Sequence, residues 1–360
     1  MNHLNLSAKK FLVFSLVALT VGAGLAQGQR RGHTSRLTYV RGASKVYAFL
    51  PPYGKMKSMS QMQSEAQTAR KTYTSILDRG TLARGKDLLE FSTPVKDQGH
   101  RGTCVAFASV ALVEVMARKA TSAVMDLSEQ YVYWSSKAIL EKNPNADGAE
   151  PIDMLMAMDP ATQVAHNEYL GLPSEAAWTY QKNPWFADKM VHPDCVAAYK
   201  ADPEQVPTEC VTNGNPPREA LIAKQIHIAQ ERRIETSPEA IVAMLNLGIP
   251  VELGVDVYQS AWGFDNPDSP NFKAGKVVMP KEGDEVIGGH AVLIVGYDMD
   301  SQVYLFKNSW GMDDWGSRST WVKKASADLA IGSAVRTAGY GTIPMDYVRQ
   351  FGEAAVAKLN

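Results

Sequence analysis

Residues 93–108 read TPVKDQGHRGTCVAFA, a turn bounded by Gly99 and Gly102 that runs directly into a long apolar stretch. Cys104 opens that stretch, CVAFASVALVEVMARKA (104–120), which is apolar nearly all round. Such a pattern predicts a helix buried on most sides. Thr103 is a good candidate for its N-cap, with Gly102 giving the chain room to turn. The first backbone N–H groups of a helix lack partners, and the dipole there favours negative charge. A thiol in that place is expected to ionise readily and act as a nucleophile. The plainer reading of Cys104 is a buried structural cysteine; its position after a glycine-bounded turn favours reactivity.

Working outward, SEQYVYWSSKAIL (128–140) predicts a second helix, and 181–235 is polar and punctuated by Pro and Gly. SPEAIVAMLNLG (237–248) starts like a capped helix and ends on Gly248. After it come IPVELGVDV, HAVLIVGYD and QVYLFKNSWG, β-branched or aromatic runs separated by turn residues. Helices first and strands later predict an α+β molecule of two lobes. A catalytic domain is expected over 88–350, with a helical lobe at about 88–235 and a β lobe at about 236–350.

A nucleophilic thiol needs a base within hydrogen-bond reach. Of the seven histidines, His290 stands apart: it follows Gly288 and Gly289, which leave space beside it, and opens an apolar strand. His100 sits in the turn before Cys104 and is a candidate for lining a cleft. If 290–297 and 302–308 pair as a hairpin about the turn near 299–300, His290 and Asn308 face each other with Cβ atoms about 5 Å apart. An Asn there would hold one orientation of the imidazole, as the third member of a triad does. A one-residue slip would move Asn308 to the other face. Gln98 lies across the turn from the helix start, so its amide and the Cys104 backbone N–H could form a two-donor oxyanion hole. Taken alone, a Gln in a turn is more often a solvated residue.

The composition is that of an ordinary globular chain: 45% hydrophobic and 21% charged, with a formal net charge of −1 over 360 residues. There is no basic surplus, which argues against a nucleic-acid partner. Lys9 and Lys10 precede an apolar run, Phe11–Ala26, that ends in small residues. This has the form of a cleavable export signal over 1–26 and is shorter than the ~20 residues a spanning helix needs. A secreted or periplasmic protein is expected, without stable membrane association once the signal is removed. Residues 27–87 read as a leader or N-terminal arm, with one amphipathic helix candidate at Gln61–Leu77. Three cysteines in an exported chain imply one unpaired sulfur. Cys195 and Cys210 could close a loop worth roughly 3 kcal/mol, leaving Cys104 over; three free thiols remain the alternative.

These pieces coincide with a family pattern. TPVKDQGHRGTCVAFA (93–108), LSEQYVYW (127–134), GGHAVLIVGYD (288–298) and KNSWGMDDWG (307–316) resemble four hallmark segments of the papain-like cysteine peptidases, in the family's order. The resemblance implies a helical lobe and a β-barrel lobe with the catalytic pair facing across the groove between them. It also implies catalytic roles for Cys104, His290, Asn308 and Gln98. Trp310 would shield the His–Asn bond, the region of Gly148 would offer backbone to an extended peptide, and Gly254 and Ala291 would shape a side-chain pocket. Two departures stand out: Arg101 and Val105 occupy positions where the family usually has Cys and Trp. His290 and Asn308 lie 186 and 204 residues beyond Cys104, whereas about 130–150 is usual for the papain type. An insertion is therefore expected, within 181–235. The leader lacks the regular spacing of the family's inhibitory propeptides, which speaks against inhibition by that route.

The expected chemistry is peptide hydrolysis through a thiolate–imidazolium pair and an acyl-enzyme, on a polypeptide substrate, with no cofactor. No metal is expected, because the Asp pairs at 298/300 and 313/314 have no Glu or His at ligand spacing. The rival readings are an acyl transferase or peptide ligase using the same triad, and a secreted binding protein that keeps the fold without turnover.

Overall fold

A computed structural model describes residues 37–50, 83–159, 171–222, 224–323 and 334–359. All of these fall in one unit, Thr34–Asn360. The signal-like segment 1–26 and the helix candidate Gln61–Leu77 lie outside the described residues. In chain order, the elements that position the site are β1 (Thr38–Arg41), β2 (Val46–Phe49), β3 (Gly85–Asp87), α1 (Cys104–Thr121), α2 (Glu129–Trp134), α3 (Pro193–Ala201), α4 (Thr208–Val211), β4 (Ile228–Ile234), α5 (Pro238–Asn246), β5 (Val251–Tyr258), β6 (Val286–Asp298), β7 (Val303–Lys307), β8 (Tyr340–Pro344), α6 (Met345–Phe351) and β9 (Gly352–Leu359).

Helix α1 is the central helix. Its apolar residues are buried on all sides from Cys104 through Val115, as an all-round apolar run requires. It stops at Ser122, which takes the left-handed conformation (φ 62°) and donates its N–H to Arg118 O. Thr103 does not cap the helix with its side chain; its hydroxyl pairs instead with the Tyr180 hydroxyl at 2.6 Å. Helix α5 begins as its sequence predicts, with Ser237 Oγ accepting from Ala240 N and Pro238 in the first turn.

The last third of the chain builds a seven-stranded antiparallel sheet in the order β8-β7-β6-β5-β9-β4, with β3 paired along β6. Strand β5 is buried at every position and β6 at nearly every one. Two-sided burial explains why their sequences are apolar runs with little alternation. The sheet is wider than the span 236–350: β3 and β4 precede it and β9 follows it. GEAAVAKL (352–359) joins the two halves, pairing with β5 on one side and β4 on the other. Helix α1 packs against β6 and β5, so the helical lobe and the sheet lobe meet along the helix that carries Cys104.

Residues 181–222, in the stretch expected to hold the insertion, form short helices. Cys195 on α3 is bonded to Cys210 on α4, with Cα atoms 5.5 Å apart, and Cys104 is the free cysteine. Among the described residues no helix is long and apolar enough to cross a membrane.

Candidate active site

Cys104 is the first residue of α1, and its thiol is 1% exposed. Burial pushes it up to about 12, while the backbone N–H groups of Ala291 and Val105 act in the opposite direction. The sulfur therefore lies against the peptide that follows His290. His290, on β6, is fully buried, and burial pulls its imidazole down to about 4, against the smaller opposite effect of Asn308. Nε2 is 2.8 Å from Asn308 Oδ1. Nδ1 has no hydrogen-bond partner among the described residues.

The hairpin register differs from the one expected. Strand β6 meets β7 as Leu293↔Lys307 and Ile294↔Phe306, and a bulge then shifts the ladder to Gly296↔Leu305. This places Asn308 one residue past the end of β7, so it is not directly opposite His290. The contact is made by side chains, with Asn308 Oδ1 also accepting from Ser309 N at 2.8 Å. Trp310 stacks on the imidazole, centroids 4.2 Å apart and planes 20° apart. With Trp262 also against the imidazole, it encloses the His–Asn bond in apolar surface.

Gln98 is fully buried next to this hairpin. Its Nε2 donates to Arg101 O at 2.9 Å and its Oε1 accepts from Ser309 Oγ at 2.7 Å. A primary amide has two hydrogens, so one of them is not used by that bond. Gly254 and Ala291 are direct partners across β5 and β6, both buried.

Gly148 differs from expectation. Its N–H points to the Tyr133 hydroxyl (3.0 Å), and its carbonyl accepts from the Lys137 ammonium. Its φ of +85° turns the peptide inward. The neighbouring Ala149 makes no backbone hydrogen bond among the described residues.

Burial opposes both charges, pushing the thiol up and pulling the imidazole down. The β1–β2 hairpin packs beside His290: Phe49 lies edge-on to the imidazole, and Leu50 exchanges two backbone hydrogen bonds with Gly289, N to O at 2.8 Å and O to N at 2.5 Å. Leu50 Cδ2 would lie 2.6 Å from a Cβ on Gly148, so the leucine fills the space between that loop and β6. Tyr47 and Phe49 pack edge-on to Trp310. The turn is anchored by Asp314, which accepts from Ser44 N, Lys45 N and the Tyr47 hydroxyl, and by Lys45 against Asp313 and Asp97. Residues 37–50, within the stretch expected to be a leader, thus pack against β6 beside His290.

Sequence reasoning missed this hairpin packing and a partly buried charge cluster around Lys96. Lys96 contacts Asp126 (2.7 Å), Glu129 (2.8 Å) and Glu114 (3.3 Å), and Lys307 Nζ donates to Thr93 Oγ1, which in turn donates to Glu114. The available signal was Glu114, a lone acid in the middle of an otherwise apolar helix.

With this geometry in place, comparison with known proteins is informative. The family profile described as papain family cysteine protease matches residues 86–338. This chain belongs to that family. Among curated relatives, cysteine proteinase 2 of Leishmania pifanoi is 29% identical over 63% of this chain and 40% of its own length. The oryzain gamma chain of Oryza sativa subsp. japonica is 27% identical over 66% of this chain and 54% of its own. The match thus spans about half or less of these papain-family relatives. Xylellain, a cysteine protease from Xylella fastidiosa, has the same fold, with a TM-score of 0.57 at 22% identity over 88% of this chain and 97% of that one. The papain-family fold, a helical lobe against an antiparallel sheet lobe, is the architecture expected from sequence. Arg101 and Val105, both departures from the usual pattern, are fully buried.

Proposed function

We propose that this papain-family chain is an exported cysteine peptidase that hydrolyses peptide bonds in polypeptides and is held closed by its own leader. The observation that carries the reading is the pairing of His290 Nε2 with Asn308 Oδ1 while the Cys104 sulfur lies against the backbone N–H of Ala291, the residue that follows His290. With the hairpin displaced, water reaches the pair and the burial that opposes both charges is relieved. The thiol proton passes to Nδ1, and the sulfur attacks the peptide carbonyl carbon. The Cys104 N–H and the unused Gln98 amide hydrogen stabilise the oxyanion. The imidazolium returns its proton to the leaving amine, giving a thioester; His290 then takes a proton from water, which releases the acid and restores the thiol. Asn308 fixes the ring, and Trp310 keeps water from the His–Asn bond.

The test is to compare wild type with Cys104→Ala after limited proteolysis of the leader, on a denatured protein mixture. Cleavage by wild type alone supports the reading; equal cleavage by both rejects it. Export rests on the form of residues 1–26, and fractionation of the producing cell checks it.

A further inference from the structure

Residues 141–148 form an irregular loop beside the cleft in which Glu141, Asn143 and Gly148 all take positive φ (51°, 47° and 85°). Two non-glycine residues in that region store strain, which persists only if the surroundings hold the loop in place. The holding group comes from below. Directly after α2 the helix widens into a π-helical turn, Ser135–Ile139, and Lys137 in that turn is completely buried. Its Nζ donates to Asn143 O (3.0 Å), Ala146 O (2.7 Å) and Gly148 O. No carboxylate forms an ion pair with it among the described residues. A buried ammonium without a counterion is costly unless its three hydrogens are all used, and three carbonyls of one loop use them.

The loop is held a second way at the same point. Tyr133 donates to Asp147 Oδ1 and accepts the Gly148 N–H, and Asp147 Oδ2 accepts from Gly102 N at 3.1 Å. The Tyr133 ring has Lys137 Nζ 5.5 Å from its centre and Arg101 Cζ 5.3 Å from it. Arg101 occupies the position where the family usually carries a disulfide cysteine. Polar contacts thus tie the loop to the turn before Cys104 in a chain lacking that cysteine.

We infer that Lys137 is a positioning residue for substrate: by gathering the carbonyls of residues 143, 146 and 148, it commits Gly148 inward and leaves the Ala149 peptide to pair with an extended polypeptide in the cleft. This inference rests on the peptidase reading above. Lys137 touches neither substrate nor the reacting atoms; it acts through Gly148 and Ala149. Its effect therefore falls on binding of substrates long enough to reach Ala149, and not on attack by Cys104.

The charged groups facing Lys137 are Asp147 and Asp153, with Arg101 across the Tyr133 ring. Burial outweighs the two acids and brings the ammonium down to about 8. Above that pH the neutral amine keeps two hydrogens for three carbonyls, and the loop loosens.

The experiment uses full-length protein activated by limited proteolysis, with nitrophenyl esters of a blocked tripeptide and of a blocked single amino acid. Only the tripeptide reaches Ala149. In Lys137→Met, KM for the tripeptide ester is expected to rise ~10-fold or more while its kcat and both constants for the short ester stay within about twofold, since small misplacements at a binding surface carry such costs. In wild type, the tripeptide-to-short KM ratio is expected to rise above about pH 8, and this series decides the matter if Lys137→Met does not fold. Equal losses on both esters, no change on either, or a wild-type ratio flat from about pH 6 to 10 would overturn the inference. If wild type hydrolyses neither ester, the peptidase reading fails first and this inference with it.

Discussion

Leu50 and Gly289 exchange both of their backbone hydrogen bonds, which places Leu50 in antiparallel pairing with the residue just before His290. The pairing brings the hairpin against the strand that carries His290.

Replacing Leu50 with proline removes the donor to Gly289 O and the side chain that fills the gap at Gly148. Cys104 in Leu50→Pro is expected to react with iodoacetamide at least ~10-fold faster than in the wild-type full chain, the factor that about 1.4 kcal/mol of lost closure would give. Mass spectrometry of the labelled peptide measures this, and equal rates would mean the hairpin does not protect the thiol.

Closure should weaken in acid. His290 is held at about 4 under the hairpin, against an ordinary value of 6.5. Between these values the opened or unfolded form binds the extra proton, so closure is fully present above about 6.5 and is lost as pH falls towards 4. The shift corresponds to about 3 kcal/mol at most. Proteolysis within residues 37–50 is expected to accelerate across that window in Cys104→Ala. The acceleration should shrink in Cys104→Ala/His290→Gln; an unchanged profile would assign the effect to Asp97, whose carboxyl, against the effect of burial, is held low by Lys182, the Gly99 N–H and Lys45.

Asn308→Ala deprives His290 Nε2 of its partner without touching the thiol. A kcat/KM loss of ~10- to 100-fold is expected after leader cleavage, in the range of one charge-assisted hydrogen bond of about 1.5–3 kcal/mol. Steady-state kinetics on a peptide ester, with circular dichroism to confirm folding, decides it; full activity would remove Asn308 from the mechanism.

Glu252 lies fully buried between α1 and β5, where Ser109 Oγ donates to it, and burial raises its carboxyl well above the usual range. An acid raised in the folded state contributes stability that is lost as pH rises past its unfolded value near 4.5. Glu252→Gln keeps an acceptor for Ser109 and removes the charge. Its Tm is expected to exceed that of wild type at about pH 8 and to match it at about pH 5. A wild-type advantage at pH 8 would mean that Glu252 is ionised and paired.

The four hallmark segments were legible because each obeys a local rule. An all-round apolar run after a glycine-bounded turn can only be a buried helix start, and apolar β-branched runs between turn residues can only be core strands. Cys104 and His290 were singled out by those rules, Asn308 by an assumed register that the bulged ladder does not keep, and the pairing of Cys195 with Cys210 by the odd number of cysteines. The bulge after Ile294 was not legible, since one extra residue in a ladder leaves the apolar pattern intact while moving every later partner. Only the packed chain decided that Leu50 pairs with Gly289, that the Gly148 carbonyl faces Lys137, and that the thiol and imidazole are buried. Each depends on which distant surfaces meet and how much water they exclude, quantities that no window of neighbouring residues contains.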